Sequence, residues 1–142
     1  MSASSRKKPL DRQEGPGRTL VVLAQPSQET DDLLAELVRR RDLHLLRVVT
    51  VEAAAVALRD LGVSLVLVCP ETAVQTIDAL LAQIDRLRPG VPVLAVRERQ
   101  GEESPAWRSR AVGVLRAPLS PEVLSRTVDV ALGFAGSAGE EP

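Results

Sequence analysis

Aromatic residues are nearly missing from this chain, which has one Trp, one Phe and no Tyr among 142 residues. A ring-rich core is therefore excluded, and the interior must be built from Leu, Val, Ala and Ile. Cysteine occurs once, at Cys69, so no internal disulfide can form and the chain suits a reducing, cytoplasmic setting. No apolar run approaches the roughly 20 residues needed to span a bilayer. Neither sign of charge prevails: 18 basic and 19 acidic residues leave a net charge of −1. No global field then favours nucleic acid or an anionic membrane, and neither is expected as a partner. The basic residues are sixteen Arg and only two Lys, which reads as genomic base composition rather than function. No Gly-rich phosphate loop of the GxGxxG or GxxxxGK pattern is present.

What is present is five short aliphatic runs, each followed by a helix-like stretch. They are Leu20–Ala24, Leu43–Val49, Val63–Cys69, Val91–Val96 and Gly113–Leu115. This alternation implies a parallel sheet wrapped by helices, within one domain over residues 18–135. The segment before it holds a basic cluster (Arg6, Lys7, Lys8) with no apolar stretch behind it. It is expected to be a disordered, solubilising arm over residues 1–17 rather than a secretory signal or a nucleic-acid contact. Residues 136–142 read as a disordered tail for the same compositional reasons.

Helix punctuation is explicit. Ser27 is placed to cap a helix from Gln28 to Arg41, with acidic residues in its first turn and Arg39, Arg40 and Arg41 in its last. Leu33, Leu34, Leu37 and Val38 would form its inward stripe. Thr50 caps a second helix through Leu61, closed by Gly62. A third covers about Thr72–Leu87 and stops before Pro89-Gly90, and a short fourth lies near Ala106–Ala111. Ser120 or Leu119 begins the last helix, with Pro121 at its first position.

In a parallel sheet of this kind the chemistry sits outside the carboxyl ends of the strands. Here those ends carry Ala24, Gln25, Cys69, Arg97 and Ala117, with no carboxylate among them. The scaffold is enzyme-like, but the reaction centre is missing and no enzyme activity is expected.

The last strand and helix, Leu115-Arg116-Ala117-Pro118-Leu119-Ser120-Pro121-Glu122, together with Ala111, Gly113 and the Gly90-Val91-Pro92-Val93-Leu94 segment, resemble the receiver domain of bacterial response regulators (CheY-like). The resemblance implies a flavodoxin-like (βα)5 three-layer sandwich with a five-stranded parallel sheet of order 2-1-3-4-5. It also implies where chemistry would lie. The phosphoacceptor Asp of receivers falls on Cys69, the acidic Mg²⁺ pair on Ala24 and Gln25, the Thr or Ser of the fourth strand on Arg97, the Lys before the final Pro on Ala117, and the switch aromatic on Val114. Mg²⁺ requires hard oxygen ligands, which these residues do not supply. No metal or cofactor is therefore expected, and the chain reads as a stand-alone pseudo-receiver.

Several other residues admit both a chemical role and a plainer one. Cys69 is either a reactive thiol, its pKa lowered by Arg97, or a small buried residue. His44 lies at the wrong end of a strand to serve it as a base. Glu71 and Glu98 are the candidates for an atypical phosphoacceptor, and they either face Arg97 across the pocket or form a solvated surface ion pair with it. Arg97, Arg99 and Arg116 suggest a sensor for a small anion or nucleotide. The last helix has a wide apolar arc: Leu124, Val128 and Ala131 on one stripe, Val123, Val130 and Phe134 on another. The second stripe is either covered by the fourth helix or free to dock a kinase, regulator, scaffold or second copy, as the resemblance implies for the fourth-helix, fifth-strand and fifth-helix face. Trp107 is its proposed anchor, or else a cap on the core.

Overall fold

The computed structural model describes residues 17–133. Residues 1–16 of the expected arm, the expected tail over 136–142 and Phe134 lie outside the described residues. Ten elements alternate: β1 (Arg18–Leu23), α1 (Gln28–Val38), β2 (Leu43–Val48), α2 (Val51–Asp60), β3 (Val63–Val68), α3 (Val74–Leu87), β4 (Val93–Arg97), α4 (Pro105–Ser109), β5 (Gly113–Arg116) and α5 (Pro121–Ala131). The strands form one parallel sheet in the order β2-β1-β3-β4-β5. This is the flavodoxin-like three-layer sandwich.

Strand alternation sends side chains to two cores. Val21, Leu23, Val66, Val68, Val93 and Ala95 face α2, α3 and α4, where Ala54, Leu58, Ile77, Leu80 and Trp107 meet them. Leu20, Val22, Leu65, Leu67, Leu94 and Val96 face α1 and α5, against Leu34, Leu37, Leu124 and Val128. The central strands are apolar on both faces because both faces are covered.

The caps fall where the sequence puts them. Ser27, Thr50 and Ser120 accept from the amides of Thr30, Ala53 and Val123. Each satisfies an N–H that the first helical turn would otherwise leave bare, worth about 1 kcal/mol. Gly113 sits close under Leu94: a Cβ there would lie 2.6 Å from Leu94 Cδ2, and the end of that side chain would have to move aside.

Several boundaries differ from the sequence reading. α1 stops at Val38, not Arg41, so the three arginines are not in its last turn. Arg40 instead leaves the helix to bridge Asp42 (2.7 Å) and Asp129 on α5 (2.8 Å), which ties α1 to α5. The Arg40 guanidinium holds the Asp42 carboxyl below its ordinary range. Val38 is exposed rather than part of the inward stripe. Gly62 does not close α2: Leu61 ends it in extended backbone. β4 starts at Val93, after Pro92, which has no N–H to donate, and it extends to include Arg97. α3 starts at Val74 because the Thr72 amide turns back onto the Cys69 carbonyl (3.2 Å). α5 packs on α1, so its outer stripe is not covered by α4, which lies on the opposite face of the sheet.

Candidate functional site

The five residues at the strand ends are not gathered around one opening. Ala24 follows β1 and is 2% exposed, with its amide bound to Val48 O. Gln25 is exposed and spends its amide nitrogen on Val49 O (3.1 Å). Cys69 follows β3 and is fully buried, its own amide donating to Leu23 O (3.0 Å). Its side chain belongs to the α1–α5 core. Burial, reinforced by the charge of Glu71, pushes the thiol up to about 12, while Arg47 opposes the shift. Of the two accounts of Cys69, burial and the raised thiol favour the small buried residue over a thiol activated by Arg97.

Arg97 points to the other face of the sheet. Alternation along β4 places it on the side of Val93 and Ala95, under α3 and α4. Its exposure is only 5%. Nη1 donates to Thr72 O (2.6 Å), Nε donates to Glu102 O (3.1 Å), and the guanidinium carbon lies 5.5 Å from the centroid of the Trp107 ring. The burial of this cation is offset by two carbonyls and an aromatic face. It forms no ion pair with Glu71 or Glu98. A sensor that grips an anion through Arg97 is therefore corrected, because the guanidinium is committed inside the fold. Arg116 is committed too, to Glu98 O, Gly101 O and the Glu103 carboxylate.

Trp107 completes this lock. It is 1% exposed, and its Nε1 donates to Asp78 Oδ1 on α3 (2.8 Å). It caps the core and is not a surface anchor, because its whole ring is already buried against Arg97 and α3. On α5, Val123 and Val130 are exposed, at 37% and 62%. Two residues escaped the sequence reading: Asp78, which fixes the indole, and Thr72, whose carbonyl receives Arg97. The alternation Val93, Ala95, Arg97 was the available signal for where Arg97 points.

A cleft of about 640 Å³ does open beside these ends, between α1 and the loops after β4 and β5. Glu29, Asp32, Glu98 and Arg99 line it, with Ala117 and Pro118. The Ala117–Pro118 peptide is cis, and Ala117 donates its amide to Arg97 O (2.8 Å). Of the five strand-end residues, Ala117 alone lines this cleft.

Receiver folds are associated with Mg²⁺, and the residues here do not fit it. Ala24 offers no donor atom, Gln25 is turned onto Val49 O, and the Cys69 thiol stays protonated inside the core. Glu71 accepts a hydrogen bond from buried Thr30. Among the described residues no group of three or more His, Cys, Asp or Glu is placed to hold a metal ion. None of the helices described is long and apolar enough to cross a membrane.

Comparison with known proteins agrees with this architecture. No protein-family model matches the sequence, and no curated protein matches it. Solved structures do. The signal receiver domain of a LuxO-type repressor protein from Vibrio parahaemolyticus superposes with a TM-score of 0.67 at 16% identity, covering 87% of this chain and 95% of that one. The receiver domain of a sensor histidine kinase from Pseudomonas aeruginosa PAO1, solved with magnesium coordinated in its active-site cleft, gives 0.63 at 14% identity, over 82% and 98%. A pilus assembly protein, CpaE, from Caulobacter crescentus CB15 gives 0.56 at 23% identity, over 83% and 92%. At such identities the likeness is one of fold. The chain has the CheY-like receiver fold.

Proposed function

We infer that this chain is a pseudo-receiver: an interaction module that works without phosphoryl transfer, in the cytoplasm, in bacterial signalling or cell organisation. The observation that carries this reading is the state of the strand ends. β1 and β3 are followed by Ala24 and Cys69, neither able to accept a phosphoryl group as a carboxylate does, and β4 ends in an arginine already bound inside the fold. A domain without a chargeable site presents a constant surface, so its output is a contact rather than a switch.

The outer stripe of α5 supports a docking role for a kinase, regulator or scaffold. Val123 and Val130 are two turns apart on one side of the helix. Between them the Thr127 hydroxyl donates to Val123 O (2.9 Å), and exposed Arg126 flanks the pair. The pilus assembly protein among the similar structures favours cell organisation as one setting.

The test is incubation with acetyl phosphate and Mg²⁺, read by intact-protein mass. No phosphoryl adduct is expected. A stable adduct, localised by peptide mapping to Glu71 or Glu98, would establish an atypical phosphoacceptor and end the reading.

A further inference from the structure

The two edges of the sheet are guarded unequally. β5 is four residues long, and its exposed Arg116 is pinned by the loop after β4, which puts a fixed charge at that edge. β2 is six residues long and contains neither Pro nor Lys. It pairs with β1 in unbroken register from Leu43 to Val48, so no bulge turns it away from solvent. Its single full charge, Arg47, is bound back to Asp31 on α1 at 2.8 Å. Leu45, Leu46 and Val48 are only partly covered, and Val49 just beyond is half exposed.

The main-chain directions on β2 are fixed by two bonds. Arg18 donates to Asp42 O and Ala24 donates to Val48 O. Successive residues of a strand turn their main-chain groups alternately to either side. The even-numbered residues therefore bond to β1, while the N–H and C=O groups of Leu43, Leu45 and Arg47 point out of the sheet. Among the described residues no bond to these groups is found.

We propose that β2 pairs antiparallel with β2 of a second copy of this chain, about a two-fold axis at Leu45. In this register Leu43 faces Arg47 of the other copy and Leu45 faces its own counterpart. All three outward residues then become hydrogen-bonded pairs, with roughly six bonds in total. Leu43 and Leu45 lie on the α1 side of the sheet, so the two Leu45 side chains meet there and the stem of Arg47 covers Leu43. The charges permit the approach: Asp31 offsets Arg47, and His44 opposes the apolar Leu46 rather than Arg47 or a second His44. The two-fold consumes both β2 edges and leaves only the guarded β5 edges, so assembly closes at two. The strip is about 20 Å long and covers roughly 500 Å² per copy, below the ~800 Å² per partner of a stable complex. The dimer is accordingly a weak, transient one, sought at concentrations of about 10–100 µM, where a Kd of that size leaves it half formed.

Sedimentation equilibrium across that range tests it. The wild-type chain should pass from monomer to dimer and no further. Arg47→Pro removes an outward N–H without touching a bond to β1, and should stay monomeric. Arg47→Ala keeps that N–H and should still dimerise, as should Val130→Asp on the distant α5. Circular dichroism checks that Arg47→Pro is folded. Independently of any variant, hydrogen exchange at low and high concentration should show the amides of Leu43, Leu45 and Arg47 gaining protection together. A wild-type chain that stays monomeric, amides whose protection ignores concentration, a dimer that a folded Arg47→Pro retains, or one that Val130→Asp dissolves would each overturn the proposal.

Discussion

The strand ends close differently on the two faces of the sheet. On the α2–α4 face a polar lock is built in: Arg97 reaches Thr72 O and Glu102 O, lies over Trp107, and Trp107 is held by Asp78. On the α1–α5 face, Ala24, Cys69 and Val96 fill the space with small apolar groups and form no comparable network. The first solution is directional and depends on every partner being present. The second depends only on exclusion of water. Directional contacts hold a loop and a short helix in one arrangement, whereas apolar filling tolerates change as long as volume is kept. The first face should therefore fail sharply when cut, and the second should yield gradually.

Trp107→Ala is the deepest cut on the locked face. It empties the largest buried side chain, strips Asp78 of its partner and removes the ring beneath Arg97. A loss of about 3–5 kcal/mol is expected from the cavity and the unmet polar groups, measured by urea unfolding. α4 is only five residues long and has little stability of its own, so the amides of residues 105–109 should lose hydrogen-exchange protection first. A loss below about 1 kcal/mol would mean that the lock contributes nothing.

Arg97→Ala is the next cut. It leaves Thr72 O and Glu102 O without their donor and uncovers one side of the indole. About 2–3 kcal/mol should be lost. Arg97→Met restores the volume but not the bonds, and should recover only the packing share of that loss. With a single Trp and no Tyr in the chain, indole fluorescence reports the change directly. Emission identical to wild type in both variants would show that the guanidinium does not rest on the ring.

The difference between the faces was only half visible in the sequence. The parallel sheet followed from five aliphatic runs and its strand order from the receiver resemblance that Pro118 to Glu122 carry, and the caps at Ser27, Thr50 and Ser120 announced themselves by type and position. Those features are local, and local chemistry decides them. The aim of Arg97 is not local. A charged residue at a strand end reads as solvent-facing, and only the parity of β4, joined to a tryptophan ten residues later, turns it inward. Trp107 sits on a helix too short to display a periodicity, so the sequence left its direction open. Asp78 looked like one more acidic residue on an amphipathic helix until the indole was placed beside it. Arg40 misled for a related reason: its charge suited the helix dipole of α1, but Asp42 and Asp129 offered it two carboxylates beyond the helix end.

The apolar face gives the gentlest effect, and alkaline pH exposes it. The Cys69 thiol is pushed from an ordinary value near 9 to about 12, mainly by burial. In the unfolded chain it loses its proton near the ordinary value, while the folded chain keeps it. Above that value the unfolded state binds fewer protons, so stability falls as pH rises and continues to fall until the folded thiol itself ionises. From pH 8 to pH 10 the loss should be about 1.4 kcal/mol. The window is unusually clean, because the chain has no Tyr and just two Lys, both ahead of β1. Cys69→Ala should abolish this component of the slope, at a small cost from the lost sulfur. In the native protein a thiol reagent should react with Cys69 only as fast as the fold opens, and its rate should rise steeply with urea. Rapid labelling at pH 8 without denaturant would show that the α1–α5 face admits solvent, and the contrast between the two closures would be lost.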